Sequence, residues 1–313
     1  MVKVASQYEY MERILALERP GEEDIFAFYE HRLGAIFTNP RLMLLPLDDH
    51  LVHRGEGIFE SLKFVDGRIY QLDPHLERMQ RGAKSLYLSA PCPWDTLREI
   101  LMDVARASGH RDGLLSVFIG RGPGGFTTDF RECPVTSLYV VARRFRRRPE
   151  TFWEKGVTAF KSSIPAKQKY LSRIKSVNYL PNVLMKREAI ERGVDFPLCF
   201  DGHGFLAEGA TENVVLVEQK GTLVVPEMGS ALAGTTMLRG LELVQNEMEI
   251  VSRPVSGDEI LEARELIAMG TSIDAVGVVR YNGKPIHDAR PGPVAARLRE
   301  VLIRDVQENG VPF

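Results

Sequence analysis

Lys175 heads the stretch Lys175-Ser-Val-Asn-Tyr-Leu-Pro-Asn182, just before an apolar helical pattern. A buried lysine at such a place gives up its proton more easily, because desolvation and a helix N-terminus both disfavour the ammonium. The free amine is a nucleophile toward carbonyl carbon. Glu208 follows within Leu206-Ala-Glu-Gly-Ala-Thr-Glu-Asn213, at a strand-turn junction. Thr235 and Thr236, in Ala233-Gly-Thr-Thr236, open a further helix, where hydroxyls and free backbone amides together suit a phosphate. Thr271 and Ser272, in Gly270-Thr-Ser272, offer a second cradle of that kind at a strand end. Taken singly, each has an ordinary explanation: a solvated lysine, a turn carboxylate, a helix cap.

The elements that must position these residues are read from periodicity. Tyr8 to Glu18 is an amphipathic helix ended by Pro20. Ile25–Tyr29, Leu42–Leu47 and Gly57–Val65 are strand-like, and Asp66-Gly67 turns the last into a returning strand Arg68–Leu72. Asp73-Pro74 caps a helix with Leu76, Met79 and Ala83 inward, and Arg78 off that stripe reads as a solvated arginine. Another helix follows from Asp95, then strands Leu114–Ile119 and Ser137–Ala142. Between those strands, Gly120-Arg-Gly-Pro-Gly-Gly125 lacks the Lys-Ser/Thr of a phosphate loop and displays only Arg121. In the second half, Val157–Lys161, Phe196–Phe200, Asn213–Val217, Thr222–Val225 and Leu266–Met269 are strands, and Ile164–Ile174 is irregular. Helices cover Asn178–Arg192, a segment from Thr235 or Thr236 that buries Leu238, a short one opened by the Ser256/Glu259 capping box, and Val294–Val306.

A length of 313 residues suggests two domains. The five arginines within Arg143–Arg148 and the Pro149 after them mark the boundary: a small α/β domain over 1–145, a linker over 146–155 and a larger domain over 156–313. Hydrophobic content of 44% and charged content of 26% are those of an ordinary globular chain. A net charge of −2 gives no field for nucleic acid or an anionic membrane. Three cysteines without metal-ligand spacing, no signal-peptide pattern and no long apolar run lead to an expectation of a cytoplasmic protein with no structural metal.

Jointly, the candidate residues form a stronger pattern. His53-Arg-Gly-Glu-Gly-Ile-Phe-Glu60, His75-Leu-Glu-Arg-Met79, the Lys175 stretch, Glu208-Gly-Ala-Thr-Glu-Asn213, Gly234-Thr-Thr236 and Gly270-Thr-Ser272 occur in the order and contexts of the class IV aminotransferases. The chain resembles that family, the fold-type IV pyridoxal-phosphate enzymes, from about Asp49 to Val306. Its first 48 residues are a longer lead than the family usually has.

The resemblance implies a two-domain α/β (α+β) fold whose larger domain holds a central barrel-like sheet with helices around it. It also implies a homodimer and pyridoxal 5′-phosphate as cofactor. Lys175 would form the Schiff base and shuttle the α-proton, and Glu208 would pair with the pyridine nitrogen. Tyr179 would hydrogen-bond the phenolic oxygen, while Arg78, Thr235, Thr236, Thr271 and Ser272 would hold the phosphate. The activity implied is transfer of an amino group from an amino acid, branched-chain or aliphatic, to a 2-oxo acid. D-amino-acid transamination is one alternative, and an aminodeoxychorismate-type lyase reaction, against which Tyr179 speaks, is another. Asn178-Tyr179 and Phe59-Glu60 are similar to the branched-chain enzymes, whereas Lys175-Ser-Val-Asn and Lys63 are similar to the D-amino-acid enzymes. The Arg-x-His clamp of the latter is absent from Gly122-Pro-Gly-Gly-Phe-Thr-Thr128. Arg121 or Lys63 is therefore the expected substrate-carboxylate partner, with Phe59 also at the substrate.

Overall fold

Asp66 and Gly67 both take positive φ, 53° and 75°, and so turn the chain between two antiparallel strands with a twist that matches theirs. This hairpin belongs to the first of two units in the computed structural model. The structure describes residues 2–313, and its units are Met1–Phe145 with Val311–Phe313, and Arg146–Gly310. The last three residues thus go with the first unit, and 146–155, expected as a linker, goes with the second.

In chain order the first unit contains α1 (Gln7–Ala16), β1 (Ile25–Glu30), β2 (Ala35–Phe37), α2 (His50–His53), β3 (Gly57–Val65), β4 (Arg68–Ile69), α3 (Leu72–Ser85), α4 (Trp94–Ala107), β5 (Gly113–Gly120) and β6 (Ser137–Arg143). A seven-stranded sheet runs from the chain's final strand through β4, β3, β5, β6 and β1 to β2. Side chains alternate across a strand. Ile58, Glu60, Leu62 and Phe64 of β3 accordingly share one buried face, toward α3. Phe59, Ser61 and Lys63 share the other, with Phe118 and Ser116 of β5 opposite Phe59 and Ser61.

Three local expectations change. The returning strand stops at Ile69, because Gln71 takes φ 53° and α3 begins at Leu72. Pro74 then falls in the first helical turn, where its missing N–H costs nothing. No strand forms at Leu42–Leu47: Asn39 caps one 3-10 turn at Pro40–Leu42 by accepting from the Arg41 N–H at 3.0 Å, and Pro46 has no N–H for a ladder. Helix α1 carries a full capping box, with Ser6 Oγ accepting from Glu9 N and Glu9 Oε2 accepting from Ser6 N. Among the described residues, however, none of its side chains is buried.

The second unit contains α5 (Thr151–Lys155), β7 (Val157–Lys161), α6 (Lys169–Ser172), α7 (Leu180–Arg192), β8 (Phe196–Phe200), β9 (Leu206–Gly209), β10 (Asn213–Val217), β11 (Leu223–Pro226), α8 (Thr235–Val244), β12 (Ile250–Arg253), α9 (Glu259–Glu262), β13 (Glu265–Gly270), β14 (Asp274–Tyr281), β15 (Lys284–Pro285) and α10 (Pro293–Asn309). Its sheet runs β12-β11-β10-β13-β14-β7-β8-β9, with β15 on β14. The end strand β9 also lies against β10, and the Gly209 N–H donates to the Glu212 carbonyl at 2.7 Å, so the sheet curls back on itself. Apolar side chains including Leu198, Val214, Leu216, Leu266 and Val276 fill its core. No helix among the described residues is long and apolar enough to cross a membrane.

Helix α10 gets its N-cap from outside its own segment. Glu265 of β13 is buried, and its two carboxylate oxygens each accept a backbone N–H, from Val294 and Ala295, at 3.0 Å. Glu265→Ala is expected to lower the stability of the chain by about 2 kcal/mol, because it removes two charge-assisted bonds at the positive end of a helix. Urea unfolding checks this; an unchanged midpoint would contradict it.

Candidate active site

The second unit brings Lys175, Tyr179 and Glu208 together. Lys175 lies in the irregular stretch between α6 and α7 and is half-buried. Tyr179 precedes α7, which starts with Pro181 in its first turn. Asn182 ties that turn down by donating its amide to the Ala210 carbonyl at 2.6 Å, two residues past Glu208. Lys175 Nζ stands 3.4 Å from Tyr179 Oη and 5.5 Å from the ring centroid. Lys167, in the irregular segment before α6, places its Nζ 4.4 Å from the same ring.

Glu208 is the penultimate residue of β9, at the strand-turn junction expected. Its Oε2 accepts from the Leu232 N–H at 3.0 Å. Burial pushes this carboxyl up to about 7, against the pull of the Leu232 N–H and of the Lys167 and Lys175 charges. Cys199 on β8 donates its thiol to the Glu208 carbonyl at 3.3 Å, and burial, with Glu208 beside it, raises that thiol to about 12. Cys199 is therefore a packing residue without thiolate character.

Leu232 connects this group to the start of α8. Asn213 donates its amide to the Leu232 carbonyl at 2.7 Å, and its Oδ1 would lie 1.8 Å from any Cβ at position 234. Only glycine fits there. Gly234 is the N-cap and has no side chain to cap with; Thr235 and Thr236, both buried, form the first turn. Leu238, expected inside, is 48% exposed, because Met237, Gly240 and Val244 take the inward face. Thr271, half-buried, and Ser272, exposed, lie in the turn from β13 to β14.

This arrangement meets the demands of pyridoxal 5′-phosphate. An amine is available for its carbonyl, and a helix start with two hydroxyls for its phosphate. Glu208 offers its ring nitrogen a buried carboxyl that, among the described residues, accepts one hydrogen bond, from a backbone amide. A buried carboxyl so poorly matched in charge is a natural acceptor for a pyridinium N–H.

The remaining expected residues belong to the first unit. Arg78 is buried, which corrects its reading as a solvated residue. Its Nε and Nη2 donate to the two oxygens of Glu60 at 2.7 Å, and His75 Nδ1 lies 2.6 Å from Glu60 Oε2. Glu60 held the clue: a carboxylate alternating with Ile58 and Leu62 on a buried strand face requires a cation on the covering helix. Arg121 spends Nε and Nη2 on Glu56 at 2.8 and 2.5 Å, and also donates to the Leu86 and Tyr87 carbonyls. Lys63 is 3% exposed, with Nζ 5.3 Å from the Tyr70 ring centroid. Phe59 stacks on Phe118, their centroids 6.0 Å apart. Lys167, Asn182, Asn213 and Leu232 were not singled out from sequence; for Lys167 and Leu232 no motif points to them, while Asn182 and Asn213 end two of the motifs above.

An amine, a phenol and a buried carboxyl grouped beside a curled sheet define a site for carbonyl-cofactor chemistry on amino groups. The amino-transferase class IV family model matches residues 57–281, and the chain belongs to that family. It is a pyridoxal-phosphate-dependent transaminase. The chain is 35% identical to the chloroplastic D-amino-acid transaminase of Arabidopsis thaliana, over 98% of this chain and 83% of that relative. It is 28% identical to a putative branched-chain-amino-acid aminotransferase of Methanocaldococcus jannaschii, over 86% and 93%. Its fold is similar to that of a branched-chain aminotransferase from Thermoproteus uzoniensis with norvaline: TM-score 0.82 at 20% identity, covering 91% of this chain and 95% of that one. A second branched-chain amino acid aminotransferase, from Escherichia coli, gives a TM-score of 0.80 at 22% identity, covering 89% and 93%. These likenesses fix the fold as type IV.

The Glu60 pair carries an acid-sensitive part of the stability. Burial alone would raise the Glu60 carboxyl, but the His75 and Arg78 charges overcome it and hold it at about 2. A depressed carboxyl stabilises the fold above its unfolded value of about 4.3 and stops doing so as pH falls toward its folded one. The wild type is expected to lose stability progressively between those two values. Glu60→Gln is expected to cost about 3 kcal/mol at neutral pH and to flatten that acid limb. Circular dichroism along an acid titration checks both.

Proposed function

We propose that the chain moves an amino group between a branched-chain or other aliphatic amino acid and a 2-oxo acid, with Lys175 as the working amine. The observation that carries this reading is the Lys175–Tyr179–Glu208 group, with the amine 3.4 Å from the phenol and the Lys175 charge acting on a carboxyl raised to about 7. Pyridoxal 5′-phosphate, when bound, supplies the carbonyl that takes the amino group and a ring that accepts carbanion charge. Lys175 supplies the amine and then moves the proton at the substrate α-carbon. Glu208 holds the ring-nitrogen proton, and Tyr179 hydrogen-bonds the phenolic oxygen. Within the second unit Thr235, Thr236, Thr271 and Ser272 hold the phosphate; the family resemblance adds Arg78, whose guanidinium is oriented by Glu60. Lys63, on the same side of β3 as Phe59, is the proposed partner of the substrate carboxylate.

A D-amino acid is the second reading, supported by the 35% identity to the Arabidopsis thaliana D-amino-acid transaminase. The protein is further proposed to be a homodimer that binds no nucleic acid, in keeping with its net charge of −2. Free Cys92, Cys133 and Cys199 support a reducing compartment such as the cytoplasm.

Mixing the loaded enzyme with L-leucine, L-glutamate or D-alanine separates these readings. Productive amino acids should shift the cofactor band from about 420 to about 330 nm. L-leucine acting alone supports the first reading and D-alanine acting alone the second; no shift with any amino acid would sink transamination. Borohydride reduction followed by peptide mass spectrometry should find the cofactor on Lys175.

The two candidate carboxylate partners predict different failures. Lys63→Ala should raise KM about tenfold or more, the value of one lost charged contact. Arg121→Ala should mainly lower the melting temperature, because its guanidinium is engaged by Glu56 and two carbonyls. An unchanged KM in Lys63→Ala would remove Lys63 from the substrate site.

A further inference from the structure

We propose that Lys167 is a positioning residue for the Lys175–Tyr179–Glu208 group. It holds the Tyr179 ring by its cation and keeps a positive charge beside Glu208 that Lys175 cannot keep while acting as a nucleophile. The inference rests on the functional reading above.

Lys167 follows Ala166, whose N–H donates to the Phe200 carbonyl at the end of β8 at 2.9 Å, so the backbone that carries the lysine is fixed. Its Nζ, 4.4 Å from the Tyr179 centroid, is well inside cation–π range and nearer than that of Lys175 at 5.5 Å. The side chain is half-buried, and among the described residues it has neither a hydrogen bond nor an ion pair. A lysine kept only for folding reaches water or a carboxylate. This one is turned onto an aromatic ring, and burial lowers its affinity for the proton while Glu208 supports it.

The charged and titratable groups around Glu208 are Lys167, Lys175, Glu212 and Cys199. Glu212 repels the carboxylate, and the Cys199 thiol stays neutral. The two lysines therefore supply the attraction. An amine must be uncharged to attack a carbonyl, so the contribution of Lys175 disappears when it works and that of Lys167 persists. Tyr179 is thus held at its face by Lys167 and at its oxygen by Lys175, which limits the orientations its hydroxyl can take.

The test compares Lys167→Met and Lys167→Arg with wild type in the full chain, using melting temperature as the control for folding. Carbon-13 NMR, with Glu208→Gln to assign the signal, follows the Glu208 carboxyl against pH without cofactor. Visible circular dichroism reads the fixed asymmetry of the cofactor in the loaded enzyme. Lys167→Met should raise the Glu208 midpoint from about 7 by about one pH unit and at least halve the visible dichroism. Lys167→Arg should restore both. Lys167→Gln carries the same expectation if the methionine variant unfolds. A Glu208 midpoint and dichroism equal to wild type in a folded Lys167→Met would overturn the proposal. If no variant, wild type included, gives a cofactor band, the functional reading fails, and the Glu208 titration still decides the role of Lys167.

Discussion

A buried carboxyl without a cation bonded to it is the constraint around which the second unit is built. Glu208 is held on β9 with one backbone N–H for company, and its acidity is weakened to about 7 as a result. Folding tolerates this because the local frame is fixed from several directions. Asn182 ties the start of α7 to the loop after β9, Asn213 ties Leu232 to β10, and Gly234 brings the start of α8 within reach of Asn213. These contacts set the distances among an amine, a phenol, a carboxyl and a helix N-terminus. A cationic ring nitrogen placed beside Glu208 would supply the charge that the carboxyl lacks.

The first unit resolves a similar problem in the opposite way. Glu60 is buried more completely, but Arg78 and His75 meet it within the chain, and its carboxyl is held at about 2. Such a pair is weak evidence of stability, since desolvation offsets much of the attraction. What it provides is a guanidinium with a fixed orientation. Arg121 differs in having Nε, Nη1 and Nη2 all engaged, by Glu56 and the Leu86 and Tyr87 carbonyls, so it ties the end of α3 to Glu56.

How much of this was legible in the sequence depends on the range of the interaction. Lys175, Glu208 and the Thr235/Thr236 pair are readable because each sits in a contiguous motif. The Asp66-Gly67 hairpin is readable because positive φ limits the residues that can occupy it. Arg78 was misread because its partner lies on another element; periodicity along α3 carries no trace of Glu60. Strands β9 and β12, of four residues each, are too short to show an alternation, so their extents could not be read. Lys167 left no signal, because its significance arises only when β8, β9 and the segment before α6 converge.

The central claim, that Glu208 is a carboxyl waiting for a ring-nitrogen proton, is tested most directly by following its carbon-13 resonance with pyridoxal 5′-phosphate bound. Cofactor binding should hold Glu208 as the carboxylate, with no titration between about pH 5 and about pH 8. A Glu208 that still titrates near about 7 in the loaded enzyme would contradict the account.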